Sequence, residues 1–175
     1  VYVGLLRLAT RRPVLVVSGP NDGYNLGSDV FYSGTVAGAV EGALRGLPGI
    51  ALSMEPRTSH VKEAIGFAAA LIRTAIGNAV PGEVLNVNIP YLSIDAMKGI
   101  LVTRQGLRVY RDALDRRVDP RGRPYYWIGG EAPTGVDEEG TDVGALLAGY
   151  VSVTPLQLDM TSYKAMDVLK NWDWK

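Results

Sequence analysis

The sequence contains no cysteine and only one histidine among 175 residues. The absence of cysteine excludes disulfide bonds and any thiolate nucleophile or metal ligand, and it leads us to expect a location in the reducing cytoplasm. Lysine plus arginine and aspartate plus glutamate both number 18, so the formal net charge is zero. No overall positive field is therefore available to hold nucleic acid or an anionic membrane, whereas a small phosphorylated ligand is compatible with this balance.

Long apolar runs are also missing, since every run is interrupted well short of the roughly 18 residues that a membrane-spanning helix needs. Hydrophobic residues nevertheless make up 47% of the chain, and a chain of this size buries a substantial core. We therefore expect a single globular domain over residues 1–175, without a nucleic-acid or membrane partner.

The most informative stretch runs from Val14 to Thr35 and reads VLVVSGPNDGYNLGSDVFYSGT. It begins with four apolar residues typical of a buried strand and continues as a loop that alternates glycine with serine, asparagine and aspartate. It ends at Ser33-Gly34-Thr35, where a helix is expected to begin. Ligands of open α/β sheets bind beyond the carboxyl ends of the strands, and a helix start offers free N–H groups to an anion. The pattern therefore predicts an anion site formed by this loop.

Hydrophobic periodicity predicts alternating helices and strands along the rest of the chain. The second helix has Thr58 or Ser59 as its expected N-cap, and the strand–helix–strand unit over 14–54 is expected to be right-handed. This order predicts an α/β fold with a doubly wound, mostly parallel sheet. Helices are predicted over 35–46, 60–77, 142–148 and 161–172, with a helix end over 1–10, and further strands over 50–54, 84–89, 99–104 and 150–153.

Residues 105–130 differ in composition from the rest, because they are rich in arginine, tyrosine and tryptophan. Asp119-Pro120-Arg121-Gly122 predicts a turn between two extended arms, and therefore a protruding hairpin extension. The basic and aromatic side chains allow two interpretations: stacking on a nucleobase with pairing to phosphate, or packing in the hairpin and in a subunit interface. These residues are Arg104, Arg108, Tyr110, Tyr125, Tyr126 and Trp127.

The segments Ser18–Gly27 and Tyr32–Val36 together resemble the SGxNxGxNLG…SGT signature of the SurE survival-protein family, a family of metal-dependent nucleoside monophosphate phosphatases. The resemblance implies a Rossmann-like fold, hydrolysis of nucleoside 5'- or 3'-monophosphates, and a homodimer or homotetramer that the hairpin helps to build. It covers nearly the whole chain, because further family landmarks follow in family order: LNVNIP at 85–90, VTRQ at 102–105, DPRGRPYYW at 119–127, EGTD at 139–142 and GYVSVTPL at 149–156.

The resemblance also implies roles for single residues. Asn21 matches the asparagine whose side-chain oxygen completes the family's metal sphere, so we expect it to bind one Mg²⁺ or Mn²⁺ ion per subunit; the alternative is a turn former. Ser33, Gly34 and Thr35 are expected to bind the substrate phosphate, or else to serve only as a helix cap. Asn25 is expected to contact the substrate or to buttress the loop.

The family's two metal-binding aspartates lie in an Asn-Asp-Asp-Gly tetrapeptide that does not occur in this sequence. Because the sequence starts at Val1 without a methionine, we expect either a fragment of a longer enzyme, with a sheet lacking its first strand, or a shortened, non-catalytic scaffold protein. Mg²⁺ normally needs one or two carboxylates, so these residues alone are expected to bind metal poorly. Asp22 and Asp29 are possible substitutes, with a cap or a solvated turn as the alternative for each.

Two other chemistries are disfavoured. His60 follows a segment of proline, serine and threonine, so we interpret it as a solvated residue at a helix start rather than a general base, and a covalent triad has no support. A dinucleotide-binding module is disfavoured because the glycine-rich loop lacks GxGxxG and no acidic ribose ligand follows at the expected distance.

Overall fold

A computed structural model of the chain describes residues 1–55, 60–110, 112–130 and 134–174. The helices are α1 (Gly34–Ala43), α2 (Val61–Ala75), α3 (Asp142–Leu147) and α4 (Tyr163–Leu169). The strands are β1 (Val16–Asp22), β2 (Gly49–Met54), β3 (Val84–Ile89), β4 (Ile100–Val102), β5 (Arg108–Val109), β6 (Asp112–Val118), β7 (Pro124–Gly130), β8 (Thr134–Gly135) and β9 (Val151–Leu156).

The centre of the molecule is a five-stranded sheet in the order β1-β2-β3-β9-β4. The first three strands are mutually parallel, β9 is antiparallel to β3, and β4 is parallel to β9. Helices cover both faces of the sheet, which confirms the predicted α/β fold with a mostly parallel sheet. The carboxyl ends of β1, β2 and β3 meet at one edge, which we call the carboxyl edge.

One face of the sheet is apolar and forms the main hydrophobic core. Side chains alternate between the two faces along each strand, and the register of the parallel strands places the large aliphatic residues together on this face. Burying each such side chain stabilises the fold by about 1.5–3 kcal/mol. The strand residues are Ile50, Leu52, Met54, Val87, Ile89 and Val151, and Ala64, Ala68 and Ala75 of α2 pack against them.

Helix α1 packs on the opposite face at short range because of its glycines. A Cβ added to Gly38 would lie 2.5 Å from Oγ of Ser18, and a Cβ added to Gly42 would lie 2.6 Å from Cβ of Val16. The later helix residue, Gly42, thus lies over the earlier strand residue, Val16. Helix α1 therefore runs antiparallel to β1. Val36, Ala39 and Ala43 of this helix pack with Ala51 and Val84 in a smaller core cluster.

The two helical crossovers of the parallel strands have opposite hands. β1, β2 and β3 follow one another across the sheet in chain order, yet α1 and α2 pack on opposite faces. When two crossovers connect successive strands in the same direction across a sheet, they have the same handedness only if their helices pack on the same face of the sheet. One of them is therefore left-handed, whereas such crossovers are almost always right-handed; the right-handed crossover expected for the unit over 14–54 stays a prediction.

Several element boundaries differ from the predicted ones. Strands β1 and β9 are longer, because their main-chain pairing with neighbouring strands continues past the predicted ends. Strand β1 includes Ser18–Asp22, which we predicted as loop, since Asn21 pairs with Ser53 and Asp22 with Met54 of β2. Strand β9 likewise continues to Leu156, while β4 is shorter than predicted. The helix predicted over 161–172 is the shorter α4, and the expected helix end over 1–10 is a π-type helix at Gly4–Leu8.

The segment after β4 forms two further strand pairs, β5 with β8 and β6 with β7. The β6–β7 hairpin closes at the predicted turn, where Oδ1 of Asp119 accepts hydrogen bonds from the N–H groups of Arg121 (2.8 Å) and Arg123 (2.9 Å). Large apolar side chains of the hairpin, including Leu114 and Ile128, are exposed. No helix in the described ranges has the length and apolar character to span a bilayer.

The close contact between α1 and β1 generates a prediction. We expect Gly42→Ala to lower the free energy of unfolding by about 1–3 kcal/mol, because the new methyl group would overlap Val16. The matched control is Gly66→Ala in α2, where an added Cβ has no neighbour within 4 Å and should raise that free energy by roughly 0.5–1 kcal/mol. Urea unfolding followed by far-UV circular dichroism measures both, and effects of the same sign would contradict the close packing.

Candidate functional site

A row of buried polar side chains crosses the α1 face of the sheet near the carboxyl edge. In register, Asn21 of β1 lies beside Ser53 of β2, then Asn88 of β3, then Ser152 of β9. Ser53, Asn88 and Ser152 are fully buried. An irregularity in β1 places Asn21 in this row, because Gly19 and Pro20 together oppose the single residue Leu52. Such bulges turn a side chain toward the other face of a strand, here toward α1.

Residues 23–33, which we call the site loop, connect β1 to α1 and cover this polar row. Side chains of β3 bind the main chain of Asn25. Its N–H donates to Oδ1 of Asn88 (2.9 Å). Its carbonyl oxygen accepts from Nδ2 of Asn86 (2.8 Å) and from Nδ2 of Asn88 (3.1 Å). The side chain of Asn25 donates to Oγ of Ser53 (2.6 Å). Asn25 is only 7% exposed, so its side chain makes the contacts of a buttress.

One polar atom beneath the site loop has no partner. Oδ1 of Asn86 is buried and accepts no hydrogen bond from any described residue. An unsatisfied buried acceptor costs about 1–3 kcal/mol. The structure therefore keeps the amino group of Asn86 directed at Asn25 at some cost in stability.

The middle of the site loop is held by a buried carboxylate from α3. Oδ2 of Asp142 accepts from the N–H of Gly27 (2.8 Å), while Oδ1 accepts from the N–H groups of Gly106 (2.7 Å) and Val143 (2.8 Å). Three donors compensate the burial of this charge, which would otherwise be costly. Gln105 adds a hydrogen bond from Nε2 to the carbonyl oxygen of Gly27 (3.1 Å).

The end of the site loop is tied to the segment that leads into the hairpin. Oδ2 of Asp29 pairs with Nε of Arg108 at 2.8 Å, and the two side chains are only 11% and 13% exposed. Oδ1 of Asp29 accepts a hydrogen bond from the Tyr110 hydroxyl. Burial and the neighbouring Asp29 carboxylate raise the pKa of Tyr110, and Arg108 partly opposes this shift. Both oxygens of Asp29 are therefore bound by protein, and Oδ2 also accepts from the N–H of Leu26 (3.4 Å). Asp29 thus caps its turn, which confirms one of the two expected alternatives, whereas the solvated turn is wrong.

The basic and aromatic cluster of the sequence divides into separate parts. Arg108 and Tyr110 face Asp29, whereas Arg104 pairs with Glu138 at the surface. The remaining members lie on the hairpin, where the guanidinium of Arg117 lies 5.3 Å from the ring centre of Trp127. Tyr125, Tyr126 and Trp127 are exposed on this strand. The residues therefore do not form one continuous base-stacking surface.

Helix α1 begins at the predicted Ser33, Gly34 and Thr35. Oγ of Ser33 accepts from the N–H of Val36 (3.1 Å), and the first intrahelical bond runs from Ala37 to the carbonyl of Ser33. The N–H groups of Gly34 and Thr35 precede that bond, so they are the free donors of the helix start. They carry the positive end of the helix dipole.

The packing of α1 brings its first turn to the level of Asn21. Gly38 lies over Ser18 and Gly42 over Val16. A helix turn and two strand residues both span roughly 6 Å, so continuation of this match places Gly34 near the level of residue 20. Because Asn21 faces α1, the structure brings Asn21 and the Ser33–Thr35 segment to the same face and the same edge of the sheet.

The described residues by themselves do not complete a metal site. Nδ2 of Asn21 donates to the carbonyl oxygen of Gly23 (2.9 Å), which leaves its Oδ1 as the ligating atom. No group of three or more histidine, cysteine, aspartate or glutamate residues with metal-binding geometry occurs in the described ranges. Asp22 next to it is exposed. A single neutral oxygen is too weak a donor set for Mg²⁺.

Tyr24 in the site loop is partly buried and interacts with the main chain of Tyr91, which follows β3. Burial raises the pKa of Tyr24 to about 12, the charge of Glu55 adds to this shift, and a hydrogen bond with the main chain of Tyr91 opposes it. The ring centre of His60 lies 6.4 Å from that of Tyr91, and His60 directly precedes α2 as expected. The expected caps Thr58 and Ser59 lie outside the described residues.

Sequence reasoning missed most of the partners that hold the site loop. Asp142, Gln105 and Ser53 drew no functional interpretation, because each lies 28 to 115 positions along the chain from the residue it binds. The alternation of Asn86 and Asn88 with aliphatic residues was the one available signal. Two amides two residues apart on a strand share a face, so this pattern indicates a polar contact inside the core.

The Asp29–Arg108 pair generates a second prediction. We expect Asp29→Ala to lower the free energy of unfolding by about 3 kcal/mol, because Arg108 would keep its charge in a largely buried position. The control is Asp167→Ala in α4, which breaks the exposed pair with Lys170 (3.0 Å) and should change that free energy by less than about 1 kcal/mol. Equal losses in urea unfolding would show that the Asp29 pair adds nothing beyond a surface contact.

Comparison with known proteins places the fold and the motifs in one family. The family model for survival protein SurE matches residues 1–112. A protein named 5'-nucleotidase SurE from Symbiobacterium thermophilum is 48% identical over 165 residues, which cover 93% of this chain and 64% of that protein. One of the same name from Chloroflexus aggregans is 46% identical over 182 residues, covering 100% of this chain and 71% of its own length.

The structural comparison agrees. The crystal structure of the SurE protein from Aquifex aeolicus matches with a TM-score of 0.77 and 43% sequence identity, over 97% of this chain and 69% of that chain. This chain thus spans about two thirds of the length of such relatives. The matched family model, the relatives and the shared fold show that the chain belongs to the SurE family.

Proposed function

We propose that the protein hydrolyses nucleoside 5'- or 3'-monophosphates to a nucleoside and phosphate. The observation that carries this proposal is the meeting of Asn21 and the start of α1 at one edge of the sheet, on one face, beneath a site loop held by buried hydrogen bonds. Relatives that share 46% to 48% of the sequence bear the name 5'-nucleotidase SurE.

In this proposal the first turn of α1 binds the phosphate group. The free N–H groups of Gly34 and Thr35, with the hydroxyl groups of Ser33 and Thr35, donate to the phosphate oxygens. Water attacks phosphorus, the bond from phosphorus to the nucleoside oxygen breaks, and that oxygen takes up a proton. The fixed donors favour the reaction because charge on the phosphate oxygens is stabilised without rearrangement.

Asn21 contributes one oxygen ligand to a divalent ion, Mg²⁺ or Mn²⁺, in the complete enzyme. Mg²⁺ also needs carboxylate ligands, and no group of acidic residues that could supply them to this ion is found in the described ranges. When bound, such an ion supplies Lewis-acid stabilisation of phosphate oxygens and activation of water. For Asn25, direct contact with the substrate remains a prediction, and its bond to Ser53 supports the role of a buttress.

The assembly and location are part of the same proposal. Residues 1–175 act as one incomplete SurE-like domain in which the hairpin extension over 105–130 protrudes, and α4 (Tyr163–Leu169) is its C-terminal helix. The hairpin builds a homodimer or homotetramer, since an isolated two-stranded hairpin is marginally stable in water and its apolar side chains are exposed. A cytoplasmic location fits a chain without cysteine.

The test of this function distinguishes the role of Ser33 toward the phosphate group from the role of Asn21 toward the metal ion. In the full-length protein, Ser33→Ala should lower kcat/KM for a nucleoside monophosphate by about 10²-fold, as expected for the loss of a transition-state donor. Asn21→Ala should raise the Mn²⁺ concentration needed for half-maximal activity by about 10- to 100-fold. Phosphate release measured over a series of Mn²⁺ and nucleotide concentrations gives both values.

Asn78→Ala is the matched control, because Asn78 is exposed beyond the end of α2 and, among the described residues, its side chain bonds only to the carbonyl of Thr74 (2.7 Å). Its kinetics should equal those of the wild type. Full-length protein that releases no phosphate from any nucleoside monophosphate with Mg²⁺ or Mn²⁺ would refute the nucleotidase and support a non-catalytic scaffold.

The proposed assembly has its own test. Leu114 and Ile128 are paired across the hairpin and are 67% and 76% exposed. We expect the double variant Leu114→Asp/Ile128→Asp to weaken self-association at least about tenfold in sedimentation equilibrium, because charges would enter an apolar interface. Val80→Asp, at an exposed apolar position away from the hairpin, should leave association unchanged. An unaltered assembly in the double variant would exclude the hairpin as the interface.

A further inference from the structure

The attachment of the site loop to the sheet depends on side chains rather than on main-chain pairing. Asn88 uses both atoms of its amide on one residue, since Oδ1 accepts from the Asn25 N–H (2.9 Å) and Nδ2 donates to the Asn25 carbonyl (3.1 Å). Asn86 adds a second donor to the same carbonyl (2.8 Å). The main chain of Asn25 therefore has its donor and its acceptor bound by strand β3.

The two amides form a rigid anchor. Asn86 and Asn88 are fully buried, and both belong to a strand paired on each side, with β2 and with β9. Their side chains point to the same face because they are two residues apart. A loop residue held in this way is fixed relative to the sheet, while the bonds of Gly27 to Asp142 and of Asp29 to Arg108 hold the later part of the loop.

Asn86 shows that this anchor is more than a way to fill the core. Its Oδ1 has no hydrogen-bond partner in the described part of the chain, although buried polar atoms normally have one. An apolar side chain of similar size would avoid that unpaired atom. Unlike an apolar side chain, Asn86 has an amino group that donates to the carbonyl oxygen of Asn25.

We propose that Asn86 and Asn88 are positioning residues for phosphate hydrolysis. They act through the main chain of Asn25 and hold the first part of the site loop, which joins Asn21 on β1 to Ser33 at the start of α1, so that these two residues keep a fixed separation. The inference rests on the proposed nucleotidase function. Displacement of reacting groups by about 1 Å is enough to cost about 10²-fold in rate.

The kinetic test compares two buried substitutions in the same row of the sheet, since Asn86 pairs with Thr154 in the register of β3 and β9. Asn86→Leu in the full-length enzyme should lower kcat about 10- to 100-fold, with KM changed less than about threefold because the helix donors act mainly in the transition state. Its Tm should change by no more than about 4 °C. Thr154→Val is the control, since Thr154 is buried and its hydroxyl bonds to Thr103 and Ser152 rather than to the site loop; its kcat should stay at the wild-type value.

A second measurement reports on the anchor without catalysis. In Asn88→Leu, the Asn25 N–H loses its acceptor, so its hydrogen exchange measured by NMR should become at least about tenfold faster, while Thr154→Val leaves it unchanged. Because Asn25 keeps both bonds to Asn88 in the Asn86→Leu variant, the kinetic comparison stands even if Asn88→Leu does not fold.

Two results would overturn the proposal: an Asn86→Leu enzyme with wild-type kcat, or equal losses of kcat in Asn86→Leu and Thr154→Val. Wild-type protein without nucleotidase activity would instead refute the proposed function, and the exchange rate of the Asn25 N–H would still decide whether Asn88 anchors the loop.

Discussion

The hydrogen bonds between the main chain of Asn25 and the amides of β3 are the interaction on which the rest of the site depends. They join the site loop, which leads from β1 to α1 at the carboxyl edge, to the most buried part of the sheet. The bonds of Gly27 to Asp142 and of Asp29 to Arg108 then hold the remainder of that loop. The first turn of α1 owes its place beside Asn21 to this series of contacts as much as to its own packing.

The sheet carries different chemistry on its two faces. The α2 face is filled with aliphatic side chains and supplies stability through burial. The α1 face, near the carboxyl edge, carries buried serine, threonine and asparagine side chains instead. Such groups are tolerated in a core when they are hydrogen-bonded, and those beneath the site loop direct most of their bonds to one loop residue. Polar burial here specifies a geometry more than it adds stability.

Local signals were sufficient for much of the fold but not for the contacts of the site. The apolar stripe of α2 and the alternation in β3 predicted those elements because their periods are set within a few residues. The bonds of Gly27 to Asp142 and of Asp29 to Arg108 join residues 115 and 79 positions apart, so nothing near either residue indicates its partner. Ser18–Asp22 was predicted as loop because Gly, Pro and Asn favour turns, whereas pairing with β2 decided the outcome. The family signature indicated Asn21 and Ser33 as candidate site residues, while their common edge follows from the register and from the glycines of α1.

The opposite hands of the two crossovers explain why this face of the sheet is available at all. If the second crossover had the same hand as the first, α2 would lie beside α1 and cover β2 and β3 on the side where Ser53, Asn86 and Asn88 point. A helix there would fill the space that the loop and its asparagine now occupy. Because α2 packs on the reverse side, the site loop takes up this space, and its Asn25 reaches the amides of β3 directly.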